Sequence, residues 1–488
     1  MKKSLLFYLS LVILCFGPLG KAQVDRINAT ILRMEAESHL RFLTADELRG
    51  RNTGTIELNI AARYIAEQFR KSELIPLGDD PNDYLQKVPL YNANPPSTAT
   101  ADLLGLDYDV EKNLAVINKT NVDLSGPVLY LEDPEKVGEA DLEGKIVVSV
   151  IRNVRAALRN RDFIEKLEAG GALASVEIFS VGQGLSWERL ANYFNRTTMG
   201  VGEINGEEPF PRIWVEDIER VLVGKLKSTT SGTAKVKVDG ATRTPIRTFN
   251  VVGKIEGTDP ELKKQHMVMC AHYDHVGITV REEGQDSIYN GTRDNGIGTT
   301  GLINAAHYFS KYPPKRSVII IALTGEEKGL LGSRYYADNP KIPLEETVFA
   351  FNIDNSGYTT TDVMTLLDTA RTNIDALVYQ AASEFGLGVI GDRLPSQNYY
   401  ERSDQVSFAQ KGVPAVNFKM SMTAFDERIS DFYHQPSDEI KNVDLDYIYK
   451  YWRAYIRSAE LLGNWEETPY WMPGDKFEPM GDALYNKK

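Results

Sequence analysis

Three apolar runs in the second half of the chain each end in a polar cluster. Residues 266–271 deliver His272-Tyr-Asp274-His275, residues 316–323 deliver Thr324-Gly-Glu326-Glu327, and residues 348–353 end at Asp354. Unbroken apolar runs of this length predict strands buried on both faces. In an open α/β sheet, the clusters that follow such strands gather where ligands bind. Between the first two runs, the turn Tyr289-Asn-Gly-Thr-Arg293-Asp294-Asn-Gly-Ile-Gly298 leads into a helix predicted over 298–309. Residues 250–257 read as a strand adjacent to 266–271, and 415–418 as a later strand. Helices are expected at 377–385 and 445–462. In the last of these, Tyr447, Tyr451, Tyr455, Ala459 and Leu462 recur every three to four residues, which predicts core packing.

The first half reads differently. Residues 28–75 carry apolar positions at helical spacing, among them Ile60, Ala61, Tyr64, Ile65, Phe69 and Leu74, until Gly78-Asp-Asp-Pro81 breaks the pattern. A strand is expected over 84–90. From 97 to 245, strand-like runs at 128–131, 146–150, 172–179 and 211–215 alternate with helical ones at 163–169 and 218–226. That alternation predicts a separate α/β module. The expected organisation is a leader 1–22, an N-terminal part 23–96, an insertion 97–245, a main domain 246–465 and a tail 466–488.

The leader has the layout of a cleaved export signal: Lys2 and Lys3, an apolar run from Leu5 to Phe16, then Gly20-Lys-Ala22 before Gln23. The run is short for a membrane span, and no later run approaches membrane length. Export to the periplasm or the outside of the cell is therefore expected, with no membrane span after cleavage. Cleavage removes Cys15 and leaves Cys270, in an apolar strand, as the other cysteine. No internal disulfide is then possible. The formal net charge of −13 becomes −16 once Lys2, Lys3 and Lys21 leave with the leader, which holds no acid. A surface this acidic repels phosphate backbones and argues against nucleic acid as a partner.

The polar clusters have the chemistry of a metal site. His272 offers an imidazole nitrogen, and Asp294 and Glu327 offer carboxylates, the mixture that zinc takes. Asp274, two residues after His272, is placed to accept the other imidazole N–H and orient the ring. Glu326 and Glu327 point different ways, so one can bind metal while the other faces substrate as a base.

At these residues the chain resembles metallopeptidase family 28, the two-zinc aminopeptidases. The matching segments are Ala271-His-Tyr-Asp-His275, Asp294-Asn-Gly-Ile-Gly298, Thr324-Gly-Glu-Glu-Lys-Gly-Leu-Leu-Gly-Ser333, Phe351-Asn-Ile-Asp354, Arg402-Ser-Asp404 and Tyr433-His434-Gln-Pro-Ser-Asp438. The resemblance implies a zinc-exopeptidase fold, with a central mixed, mostly parallel sheet flanked by helices. The module at 97–245 resembles the protease-associated domain that many members carry as an insertion. By resemblance, His272, Asp294, Glu327, Asp354 and His434 hold two Zn²⁺ ions with Asp294 bridging. Glu326 is then the general base for a bridging water, and Tyr433 a donor to the tetrahedral oxyanion. Asp438 is either a support for the ligands or a helix cap ahead of Ile440.

The implied function is an exported zinc aminopeptidase acting on peptides. The alternatives are a carboxypeptidase or dipeptidase of the same family, a single-zinc glutaminyl cyclase, and an inactive binding protein; the full ligand set with Glu326 weighs against the last. The chain departs from the family at Arg293, where an acid is common, and at Ile297, Asn355 and Gln405. None of these is a ligand, so the departures bear on substrate preference. Arg293 either pairs with Glu283 or Asp286 or favours acidic substrates. Arg293 and Arg402 are the candidate substrate-binding cations, the pair that a carboxypeptidase reading needs.

Overall fold

The computed structural model describes residues 18–180, 186–202, 204, 208–229, 231–367 and 369–485. The expected leader therefore lies largely outside the described residues; its described end begins the helix Pro18–Thr30. Among the described residues, no helix is long and apolar enough to cross a membrane. The chain forms two compact units, Met1–Val88 with Arg247–Lys488, and Pro89–Ile246.

The first unit is built on a nine-stranded mixed sheet. Its middle is parallel: Ser317–Leu323, His266–His272, Thr347–Ile353 and Ala415–Met420 lie side by side in that order. Antiparallel strands flank it, Phe249–Ile255 on one side and Val363–Leu366 on the other. The expected neighbourhood of 250–257 and 266–271 is thus corrected, because Ser317–Leu323 runs between them. The helix Ile297–Lys311 is the reason. A parallel neighbour needs a crossover connection, and this helix carries the chain from the end of His266–His272 back to the start of Ser317–Leu323.

The four middle strands are buried along their whole length. Their side chains alternate between two cores. Met267, Met269, Ala271, Val318, Ile320 and Ala322 pack on one face with residues of the helices Ile56–Lys71, Ile297–Lys311 and Leu445–Asn464. Val268, Cys270, Ile319, Ile321 and Leu323 pack on the other. Burial pushes the Cys270 thiol up, as suits a small core residue. The tyrosine stripe of Leu445–Asn464 does more than fill space. Tyr451 and Tyr455 donate to the strand carbonyls of Phe418 and Phe351 at 3.0 and 3.2 Å. The segment expected as a tail also packs here, since Trp471 and Phe477 join the second core.

The second unit has an eight-stranded sheet and a three-stranded sheet. In the larger, Val122–Leu131, Ile146–Val150, Ala174–Phe179 and Arg212–Glu216 are parallel neighbours. Leu90–Asn94 pairs with both Thr198–Val201 and Thr242–Ile246. Those pairings draw residues 89–96 into this unit, so it begins earlier than the expected 97. Every candidate site residue lies in the first unit.

Candidate metal centre

The parallel strands bring the polar clusters together. His272 is the last residue of its strand, and Asp354 directly follows Thr347–Ile353. Glu326 and Glu327 follow Ser317–Leu323 after a turn at Gly325, whose φ of 71° suits glycine. Since these strands are parallel neighbours, all three sets emerge at one edge of the sheet. Asp294 arrives from the side, just ahead of Ile297–Lys311. That helix starts close to the strand end: a Cβ on Gly298 would stand 2.5 Å from the carbonyl of Ile353. His434 comes from a loop at φ 54°. Such backbone costs a non-glycine residue about 1–3 kcal/mol, and it is held where function requires the side chain to point one way.

The donor atoms form two adjacent groups, His275, Asp294, Glu327 and His434 in one, His272, Glu326 and Asp354 in the other. His272 Nε2 lies 3.2 Å from Asp294 Oδ1 and 3.4 Å from Asp354 Oδ1. His434 Nε2 lies 3.2 Å from Asp294 Oδ2 and 3.2 Å from Glu327 Oε1. Asp294 thus turns one oxygen to each histidine, which is the disposition a bridging carboxylate needs. Ligands of a tetrahedral ion such as zinc, at about 2.0–2.2 Å, stand roughly 3.3–3.6 Å apart, close to the separations seen. His434 Nε2 is buried and makes no hydrogen bond despite its two near carboxylates. It points between them, as toward a shared ion. The expected ligands His272, Asp294, Glu327, Asp354 and His434 therefore have the donor chemistry and spacing suited to small divalent cations. Five acids, Asp294, Glu326, Glu327, Asp354 and Asp404, crowd the same region, and bound cations would relieve their mutual repulsion.

Several supporting roles differ from those expected. The imidazole Nδ1 of His272 faces the backbone carbonyl of Asp274 at 3.2 Å, while the Asp274 carboxylate stands off at 3.9 Å. That carboxylate accepts instead from Thr53 Oγ1 at 2.9 Å and from the backbone N–H groups of Glu326 and Glu327 at 3.1 and 3.3 Å. Asp274 orients His272 through its main chain and fixes the two glutamates through its side chain. Arg293 is not at the substrate surface and pairs with neither Glu283 nor Asp286. It is buried, bonded to Asp438 at 3.0 Å and seated over the Phe432 ring at 3.7 Å. Asp438 is no helix cap, because it also accepts from the backbone N–H of Arg293 and Asp294. The pair thereby holds the backbone that carries the bridging carboxylate. Tyr433 stacks on His434 and lines the cavity beside Asp294, Glu326, Glu327 and Asp354; Arg402 lines it too.

His275 was not assigned a role from the sequence. It is fully buried, and its Nδ1 lies 2.8 Å from Glu327 Oε1. That is a hydrogen-bond distance, shorter than the spacing of two ligands on one ion. His275 thus steadies Glu327. The available signal was its place three residues after His272 in a chain with only six histidines.

The electrostatics follow from burial among acids. Burial pushes Glu326 well up, with the charges of Asp354, Glu327 and Asp404 adding to it and His272 opposing; a base of raised pKa accepts a proton more readily. Burial likewise lifts Asp404 to about 7. For His434, burial acts downward, but the adjacent Asp294 and Glu327 carboxylates prevail and push it up to about 10. For His272 burial also acts downward, and Glu326, Asp294 and Asp354 together raise it well above the usual imidazole value. The protonated rings are thus favoured below these raised values, whereas a metal ion takes neutral imidazole. Loading is expected to release about one to two protons per chain at pH 7 and to weaken as pH falls. Zinc titration calorimetry in buffers of different ionisation heat measures this; a heat independent of buffer would contradict it.

Residues 250–457 match the family model for peptidase family M28. This part of the chain is thus similar to family M28. The M28 segment holds His272, Asp294, Glu326, Glu327, Asp354 and His434 together. The chain is 27% identical over 176 residues to aminopeptidase YwaD of Bacillus subtilis (strain 168), covering 36% of each protein. It is 28% identical over 172 residues to a probable zinc metalloprotease of Pyrenophora tritici-repentis, covering 35% of this chain and 33% of that one. The matches thus span about a third of the length of these relatives. An aminopeptidase structure from Aneurinibacillus sp. strain AM-1 aligns over 92% of this chain and 97% of its own, at 20% identity and a TM-score of 0.54. That likeness establishes the shared fold, a mixed sheet flanked by helices.

Proposed function

We propose that the protein is an exported zinc aminopeptidase that removes N-terminal residues from peptides with two metal ions. The observation that carries this reading is Asp294, with one carboxylate oxygen toward His272 and the other toward His434. Similarity to family M28 and the names of the relatives support zinc and the aminopeptidase class. His272 and Asp354 would hold one ion, Glu327 and His434 the other, and Asp294 both. Bound zinc supplies Lewis acidity at the scissile carbonyl and makes water more acidic.

The remaining steps belong to side chains of this protein. Glu326 takes the proton from the attacking water and returns it to the leaving amine. Tyr433, pushed up by burial and by Asp294 and Glu327, keeps its proton and can donate it to the developing oxyanion. The acids around the cavity attract the substrate's α-ammonium group and so position the first peptide bond beside Glu326. Export rests on the layout of residues 1–22. Among the described residues the inserted unit contributes no donor, and its strand–helix alternation is the support for a protease-associated domain.

Elemental analysis of protein purified without chelator is expected to find about two zinc ions per chain; saturation at one would favour the cyclase reading. A free dipeptide amide is expected to exceed its N-acetyl form by at least about tenfold in kcat/KM, equivalent to about 1.4 kcal/mol. Equal rates, or preference for a blocked peptide with a free acidic C-terminus, would point to a carboxypeptidase.

A further inference from the structure

The cavity beside the donor atoms is walled by charged and hydroxyl-bearing side chains. Apart from the four acids, its walls are Ser356, Tyr399, Arg402, Lys419 and Tyr433, with no aliphatic side chain among them. It is small, about 30 Å³. An apolar substrate side chain placed here meets polar groups, so it gains little from transfer out of water.

Two cations face this space. Lys419 interrupts the buried strand Ala415–Met420 and is 3% exposed. Its ammonium donates to the carbonyl of Asp354 at 3.0 Å and to Ser356 Oγ at 3.1 Å, which uses two of its three N–H groups. Its distance from the Asp354 carboxylate is 3.9 Å. Arg402 lies on the exposed side of the same cavity, with its guanidinium 5.8 Å from the Tyr399 ring. Lys419 is also 5.8 Å from that ring, so Tyr399 joins the two cations in one wall. Among the described residues no ion pair engages Arg402, although nearly every other arginine around the core is matched to an acid or to carbonyls. An unmatched guanidinium, five donors in a planar fork, opposite a metal centre is suited to bind a carboxylate.

We propose that this wall binds a carboxylate of the substrate, so that the enzyme prefers peptides beginning with aspartate or glutamate. The inference rests on the aminopeptidase reading and specifies its substrate. The same chemistry is offered by the free C-terminus of a short peptide, and the substrates below separate the two sources.

The test compares the 4-nitroanilides of glutamate, aspartate and leucine, and a dialanine with its C-terminal amide, on the zinc-loaded protein and on Arg402→Ala and Arg402→Lys. Arg402 is exposed, so these variants should fold. The acidic anilides are expected to exceed leucine by about tenfold in kcat/KM. Arg402→Ala should lower kcat/KM for the acidic anilides about tenfold more than for the leucine anilide, and Arg402→Lys should restore part of that difference. A preference for dialanine over its amide, lost in Arg402→Ala, also supports the carboxylate wall and assigns it to the peptide terminus. A leucine preference, or a loss shared equally by all substrates in Arg402→Ala, overturns the proposal while leaving the aminopeptidase reading intact. If no anilide or dipeptide is cleaved, the aminopeptidase reading fails. Calorimetric binding of L-aspartate against L-leucine then decides the carboxylate wall: an Arg402-dependent preference of about tenfold for aspartate sustains it, and equal binding ends it.

Discussion

Glu326→Gln is expected to lower kcat by about 10²–10⁴-fold with the fold and the zinc content unchanged. The substitution keeps the shape of the side chain and removes its capacity to take a proton. The backbone N–H of Glu326 remains bonded to Asp274 Oδ1, so the turn that presents Glu327 is undisturbed. Glu326 is nevertheless within reach of His272 and Asp354 as a donor atom. Zinc content separates the two possible roles. If zinc falls in proportion to activity, so that the rate per bound ion is unchanged, Glu326 is a ligand and the base must be sought elsewhere. If zinc is retained and kcat collapses, proton transfer is what was lost. KM for a good substrate should change little, because the amide still fills the same space.

The legibility of this site in the sequence followed the local nature of its signals. His272, Glu326, Glu327 and Asp354 each end an apolar run, and a run of buried strand residues can be read without knowing its neighbours. Their convergence followed from the parallel arrangement alone. Strand order was less legible, since Phe249–Ile255 and His266–His272 are close in sequence yet separated by Ser317–Leu323, which arrives only after the crossover helix. Side-chain direction was less legible still. An HxD spacing allows either the carbonyl or the carboxylate of the aspartate to meet the imidazole, and the carbonyl does so here. Arg293 neighbours the bridging aspartate in sequence but turns inward, because Asp438, 145 positions away, and the Phe432 ring offer it a buried partner. Lys419 did leave a mark, a lysine inside a fully buried strand, but its partners Asp354 and Ser356 come from a different strand end.

The replacement Arg51→Met is expected to destabilise the first unit by about 3–5 kcal/mol. Arg51 is 1% exposed and sits at the end of a short helical turn, Asp46–Arg51. Its guanidinium donates to the carbonyls of Tyr273 at 2.9 Å, Asn290 at 2.7 Å and Gly291 at 3.1 Å, and to that of Leu43. Burial lowers its pKa to about 10, with Asp274, Asp438, Asp294 and Glu327 opposing from further away. It therefore stays charged at neutral pH. The four carbonyls belong to the loop after His272, the turn before Asp294 and the end of the helix Arg33–Leu43. One side chain thus ties together the backbone on both sides of the metal centre. Methionine fills the volume but leaves those carbonyls without donors, each costing about 1–3 kcal/mol before water relieves part of it. Arg51→Lys should recover less than half of the loss, because a single ammonium cannot span the positions that the planar fork reaches. Urea denaturation with and without chelator measures the effect. The deficit should persist in chelator, where lost metal binding cannot account for it. A midpoint equal to that of the unsubstituted protein under both conditions would show that Arg51 does not hold these loops.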